Sequence, residues 1–147
     1  MKLMRPLLLL GLVLPPALIA AEDADPAKKA IKGVLDEQVA AWNRGDLKGF
    51  MKGYWQADQL TFFSGNTRTC GWSATLERYQ KKYQGEGKEM GKLTFAELSI
   101  DSLGNDHALV RGRFRLRLKD GEATGLFTLI LHRTREGWRI IHDHTSS

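Results

Sequence analysis

Near the end of the chain stand His142, Asp143 and His144, three consecutive side chains able to pass protons or hold a cation. On a regular strand His142 and His144 share a face with Trp138 and Ile140, while Asp143 points the other way with Arg139 and Ile141. Three chemistries are open to them. One face lines a pocket and supplies a general base or hydrogen-bond donor. Alternatively the two histidines ligate a metal, for which His107, in a turn, and His132, on another strand, provide no evident third ligand. In the third, all three groups satisfy backbone and arginine partners at a strand end.

Aromatic residues form a second constellation: Tyr54, Trp55, Phe62, Phe63, Trp72, Tyr79, Tyr83 and Phe127. Aromatic walls with a few hydroxyl and indole donors suit a flat or apolar small molecule, and they equally suit a packed core. Tyr54, Trp55, Phe62, Trp72, Tyr79 and Phe127 are the candidate ligand-binding residues. Arg68 and Arg113 are candidates for a bidentate grip on a carboxylate, against the alternative of a solvated guanidinium. No nucleophile motif, phosphate-binding glycine loop or zinc pattern occurs, so neither a cofactor nor a metal is expected.

The elements that must position these groups are legible from periodicity. Ile31, Val34, Leu35, Gln38, Val39 and Trp42 recur with a helical period, and Asn43-Arg-Gly-Asp46 reads as a stop followed by a capped restart. Leu47, Phe50, Met51 and Tyr54 share one side of a short second helix. Leu60–Ser64 and Thr67–Cys70 read as a hairpin. Ser73 is positioned to cap a third helix through about Tyr83. From Lys92 onward four strands follow, 92–101, 108–119, 123–133 and 138–145, joined by Gly-Asn, Asp-Gly and Glu-Gly turns. In the second of them Ala108, Val110, Gly112, Phe114, Leu116 and Leu118 alternate with four arginines, so that one face packs and the other meets water or a partner.

Helices segregated from an antiparallel sheet make an α+β domain. The order of elements and the local motifs Ala41-Trp-Asn-Arg-Gly-Asp46, Leu60-Thr-Phe-Phe-Ser-Gly65, Gly71-Trp72 and Gly137-Trp-Arg-Ile-Ile-His-Asp-His-Thr-Ser146 resemble the SnoaL-like, ketosteroid-isomerase-like (nuclear-transport-factor-2-like) superfamily. Within it the chain is similar to a bacterial group of unassigned function that also resembles the association domain of calmodulin-dependent kinase. The resemblance implies a conical barrel, three N-terminal helices in a curved antiparallel sheet (a cystatin-like α+β roll), with a pocket at its open end and a homodimer through the outer sheet face. Analogy with the kinase domain points the Asp143 and Thr145 side of the last strand into the pocket, whereas hydrophobicity points the Trp138 and Ile140 side there. The chain departs from ketosteroid isomerases: Asp58 is the nearest acid to the hairpin, and the second strand of the meander carries Gly112 and Phe114 where an acid would stand.

Residues 1–21 read as a secretory signal peptide: Lys2 and Arg5, an apolar run from Leu7 to Leu14, two prolines, then small residues to Ala21. The run is too short to span a bilayer. A domain of residues 22–147, periplasmic or secreted and free of the membrane after cleavage, is the expectation. The net charge of +5 is too small to point to nucleic acid. The single cysteine, Cys70, forbids an intrachain disulfide and is expected to pack as a small residue beside Gly71. The combined reading is an exported dimer that binds a small apolar or anionic molecule. A proton-transferring isomerase or lyase using Asp143 or His142/His144 is the alternative.

Overall fold

A computed structural model describes residues 25–146; the leader expectation lies outside them. The order is α1 (Pro26–Asn43), α2 (Leu47–Met51), β1 (Thr61–Ser64), β2 (Thr67–Cys70), α3 (Trp72–Tyr83), β3 (Lys92–Ser102), β4 (His107–Leu118), β5 (Gly121–Thr134) and β6 (Gly137–Thr145). Asp25 opens α1 by accepting the backbone N–H of Ala27 at 2.9 Å, with Pro26 in the first turn, where its missing N–H costs nothing. Gly45, at φ +80°, ends the helix, and Asp46 caps α2 by accepting from the Gly49 N–H at 2.7 Å.

All six strands join one curved, unclosed sheet in the order β2-β1-β6-β5-β4-β3. The meander β3 to β6 is antiparallel throughout. The hairpin attaches to it through a parallel pairing of β1 with β6 that sets Phe62 opposite Asp143. Helix α1 lays Ile31, Leu35, Gln38, Ala41 and Trp42 on the concave face. They meet a core that includes Val110, Leu116, Phe127, Leu129, Leu131 and Ile140. Burying that many large apolar side chains, each contributing about 1.5–3 kcal/mol, is what holds helix and sheet together. Asn43 ties the end of α1 to the edge strand: its amide donates to the Leu93 carbonyl at 3.0 Å and accepts from the Leu93 N–H at 2.8 Å.

Two local expectations change. Helix α3 begins one residue before Ser73, and no side chain caps it. Gly71, at φ +92°, makes the turn, a conformation an L side chain resists, and the Thr75 hydroxyl donates to the Gly71 carbonyl at 2.8 Å. Cys70 does not pack against Gly71; it is exposed on the edge strand β2.

The arginine-bearing face of β4 is the convex one. Arg111, Arg115 and Arg117 are exposed, and the partly exposed Arg113 pairs with Glu97 across to β3 at 2.9 Å. Pairs of this exposure contribute little to stability, because water screens them.

Candidate functional site

The last strand does not keep one parity along its length. In the pairing of β5 with β6, His142 sits opposite Ile130 and Ile140 opposite Leu131, so Ile141 is an extra residue on β6. A β-bulge of this kind leaves one residue unpaired and reverses the side-chain alternation beyond it. Trp138 and Ile140 therefore face the core before the bulge, and Asp143 and Thr145 face it after. Asp143 and Thr145 thus line the cavity as the kinase analogy implies, joined by Ile140 from the other side of the strand, while Trp138 is buried without lining it.

Asp143 is buried, at 4% exposure. The Tyr54 hydroxyl donates to its Oδ2 at 2.7 Å, and the Thr145 hydroxyl to its Oδ1 at 2.7 Å. Tyr54 reaches it because the chain after α2 is pinned to β6. The Trp55 N–H donates to the Ile140 carbonyl, and the Ile140 N–H to the Gly53 carbonyl, both at 2.9 Å. Burial pushes the Asp143 carboxyl up to about 6, against the opposing pull of the Tyr54 and Thr145 hydroxyls and the His144 ring. Burial, followed by the adjacent Asp143 charge, raises the Tyr54 hydroxyl well above its ordinary range, so it remains a donor at any physiological pH. The Tyr79 hydroxyl is raised for the same two reasons.

These groups line a cavity of about 120 Å³ between the helices and the concave sheet. Its walls are aromatic, with Phe50, Phe62, Tyr79, Tyr83, Phe95, Phe114 and Phe127 around Trp42. Phe62 stacks on Tyr79 with centroids 5.4 Å apart, and Tyr79 on Tyr83 at 5.9 Å. Buried Asp143, Tyr54, Gln38 and Ile140 form the floor, while Arg78, Ser64 and exposed Lys82 stand at the mouth. Arg78 lies over the Phe62 ring, 4.9 Å from its centroid, and its guanidinium donates to Thr69 at 3.0 Å. Gly112 gives Phe127 its place: a Cβ there would stand 2.6 Å from the Phe127 ring.

Of the residues singled out in the sequence, Asp143, Tyr54, Phe62, Tyr79, Tyr83 and Phe127 line this cavity together. The others stand elsewhere. His142 and His144 point from the convex face of β6, flanking the Phe63 ring, and His142 Nδ1 lies 2.6 Å from the Thr61 hydroxyl. Partial burial and the neighbouring His144 lower the His142 pKa below the ordinary imidazole value. Trp72 uses its indole N–H to hold the Met51 carbonyl at 2.9 Å, pinning α3 to α2. Trp55 is half-buried outside the cavity, Arg68 is exposed on β2, and Arg113 belongs to the convex face. The cations at the mouth are instead Arg78 and Lys82. Their signal lay in α3, where Thr75, Arg78, Tyr79, Lys82 and Tyr83 follow a helical stripe that charge disguises as a solvated face.

Residues 31–147 match the SnoaL-like domain family. The chain belongs to that family. No curated protein matches it. Among solved structures, this SnoaL-like domain is similar to a nuclear-transport-factor-2-like protein of unknown function from Shewanella oneidensis. The two are 38% identical over 82% of this chain and 98% of the other, with a TM-score of 0.77. A domain of unknown function with a cystatin-like fold from Nostoc punctiforme matches at 21% identity over 82% and 76%, with a TM-score of 0.67. A candidate calcium/calmodulin-dependent protein kinase type II association domain from Thiobacillus denitrificans matches at 18% over 78% and 92%, with a TM-score of 0.65. The last two likenesses show the fold alone. The SnoaL-like domain thus has the α+β architecture and superfamily membership that its motifs imply.

Proposed function

We propose that the cone of this SnoaL-like domain binds a small single-ring molecule that carries an anionic end. The observation that carries this reading is the aromatic cavity with a polar floor and a cationic mouth. Its volume of about 120 Å³ is close to that of cavities that admit benzene, around 150 Å³, and well below the several hundred of pockets for larger ligands. A ring stacks against Phe62 and Tyr79, its carboxylate meets Arg78 and Lys82, and a polar substituent reaches Asp143 and Tyr54. Calorimetric titration with benzoate, phenylacetate, benzyl alcohol and a steroid carboxylate tests this. Saturable binding of the single-ring carboxylates, weaker for the alcohol and absent for the steroid, is expected. Binding of none of them, or of the steroid alone, contradicts it.

A second reading rests on Asp143 specifically. A carboxylate held near pKa 6 inside a cavity, with a hydroxyl at hydrogen-bond distance, has the properties of a general base. In this reading Asp143 removes a proton from a carbon next to a carbonyl and returns it, as in an isomerase or lyase. Phenylpyruvate in heavy water is the probe. Protein-accelerated exchange of its benzylic hydrogens, abolished by Asp143→Asn, supports the reading, and exchange at the uncatalysed rate removes it.

Export and dimerisation belong to the same proposal. Export rests on the basic, apolar and small-residue pattern of residues 1–21. Dimerisation is supported by the convex face, where half-buried Leu109, Ile130 and Phe63 and exposed Leu126 lie among the arginines. Sedimentation and N-terminal sequencing of the exported product test the two points.

A further inference from the structure

On the convex face, at the end of the β4–β5 ladder remote from the cavity mouth residues, His107 and His132 stand directly opposite each other. Their rings stack with centroids 4.5 Å apart and planes 28° from parallel. Asp106 completes the group. One ligand atom from each of Asp106, His107 and His132 lies within 4.8 Å of the other two.

We propose that Asp106, His107 and His132 form a binding site for a borderline divalent transition cation such as Zn²⁺. The hydrogen bonds around the cluster define how the rings are held. His107 Nδ1 is 2.8 Å from the Asp106 carboxylate, and His132 Nδ1 is 3.1 Å from the Asp106 carbonyl. A carbonyl and an ionised carboxylate only accept, so in the free chain both Nδ1 atoms carry a proton and donate it. Asp106 stands exposed in the bend before β4, and its carboxylate meets the His107 ring. Its carbonyl is fixed in turn by the Arg133 backbone N–H at 2.7 Å. Two imidazoles on adjacent strands and a carboxylate in the bend before β4 are thus gathered before any cation arrives.

The cation takes the Asp106 carboxylate and one nitrogen from each ring. Metal–ligand bonds of about 2.0–2.1 Å require ligand atoms roughly 3.3 Å apart, a closure within reach of small side-chain rotations on a rigid ladder. The proton shared between His107 and Asp106 marks one position that the cation replaces. Two imidazoles with one oxygen select zinc, copper or nickel over calcium or magnesium, which prefer all-oxygen shells. Asp106 is exposed and both histidines are partly exposed, which leaves the remaining positions to water.

Calorimetric titration of the tag-free chain with zinc chloride is the test, with calcium chloride in parallel. One equivalent of Zn²⁺ is expected, and no calcium. His107→Gln and His132→Gln each lower the zinc affinity at least tenfold, and Asp106→Asn lowers it to a smaller degree. The His142→Gln/His144→Gln double variant binds as the parent does. Zinc-induced shifts of the His107 and His132 imidazole NMR signals in the unmodified chain provide a readout independent of any variant's folding. Absence of saturable one-to-one binding overturns the proposal. So does binding that survives His132→Gln or that shifts only His142 and His144.

Discussion

Ile140 and Asp143, three residues apart on β6, face the same cavity because the bulge at Ile141 reverses the strand's alternation between them. That one extra residue places a carboxylate where a plain strand would place His142. Were Ile141 paired as in a plain strand, the floor of the cavity would carry an imidazole and the carboxylate would face away from it. Deleting Ile141 removes the extra residue and leaves His142 opposite Ile130 and Asp143 opposite Leu129, so plain alternation from Ile140 keeps the carboxylate inward. The expected result is a folded variant whose Asp143 carboxyl keeps its bond to Tyr54 and its raised pKa. Carboxyl-carbon NMR measures it; an Asp143 midpoint near 4 in the deletion variant would contradict this reading of the bulge.

Removing the Tyr54 hydroxyl isolates its bond to Asp143. The Tyr54 hydroxyl lowers the carboxyl's pKa, so Tyr54→Phe should raise it above about 6. The lost bond should also cost about 1–3 kcal/mol of stability, because it leaves a buried acceptor with one partner fewer. A carboxyl-carbon NMR titration of both proteins reads the shift. An unchanged or lower midpoint in the variant would contradict the geometry.

Stability should depend on pH through the same carboxyl. Its folded pKa, about 6, is higher than its unfolded value near 3.9, so folding favours the protonated form. The stabilisation is fully present below about pH 4 and is lost as pH rises through about 6. A shift of two units corresponds to roughly 3 kcal/mol. Asp143→Asn removes this dependence, so the variant should gain on the parent by an amount approaching that figure between pH 4 and pH 7. Urea unfolding at four pH values measures the difference, and parallel curves for the two proteins would contradict it.

Gly112 keeps the cavity open by leaving Phe127 room. A Cβ at Gly112 would stand 2.6 Å from the Phe127 ring and 2.9 Å from the Leu98 side chain. Gly112→Ala should therefore push Phe127 toward the cavity, lower stability by about 1–3 kcal/mol and weaken benzoate binding. Thermal unfolding and calorimetry check both effects.

Arg78 and Lys82 should discriminate by charge. Their replacement in Arg78→Gln/Lys82→Gln is expected to weaken benzoate about tenfold while leaving benzyl alcohol within twofold, about 1.4 kcal/mol of selectivity. Equal losses for both compounds would show that the mouth acts through shape alone.

Much of this fold was legible because apolar period and turn residues agree along most of the chain. The helical spacing from Ile31 to Trp42 and the strict alternation of β4 place two of the packed faces without any tertiary information. The parallel partnership of β1 with β6 was not legible, because a short apolar strand does not name its neighbour. The site was half legible. Tyr54, Phe62, Tyr79 and Phe127 announced themselves as aromatics, and Asp143 as an ionisable group on a closing strand. Arg78 and Lys82 did not, since long cationic side chains on a helix normally mark the wet face. The bulge at Ile141 has no residue signature at all; it arises from fitting β6 to both β5 and the chain after α2.

The site depends on the state of one carboxyl group. Carboxyl-carbon NMR of Asp143 across pH 3–9 in the free protein measures it directly. A midpoint near 6 is the result expected of a carboxyl enclosed by aromatic walls and bonded to Tyr54. A midpoint near 4, the value of a carboxylate in water, would show that the floor of the cavity is not enclosed and would contradict the site described above.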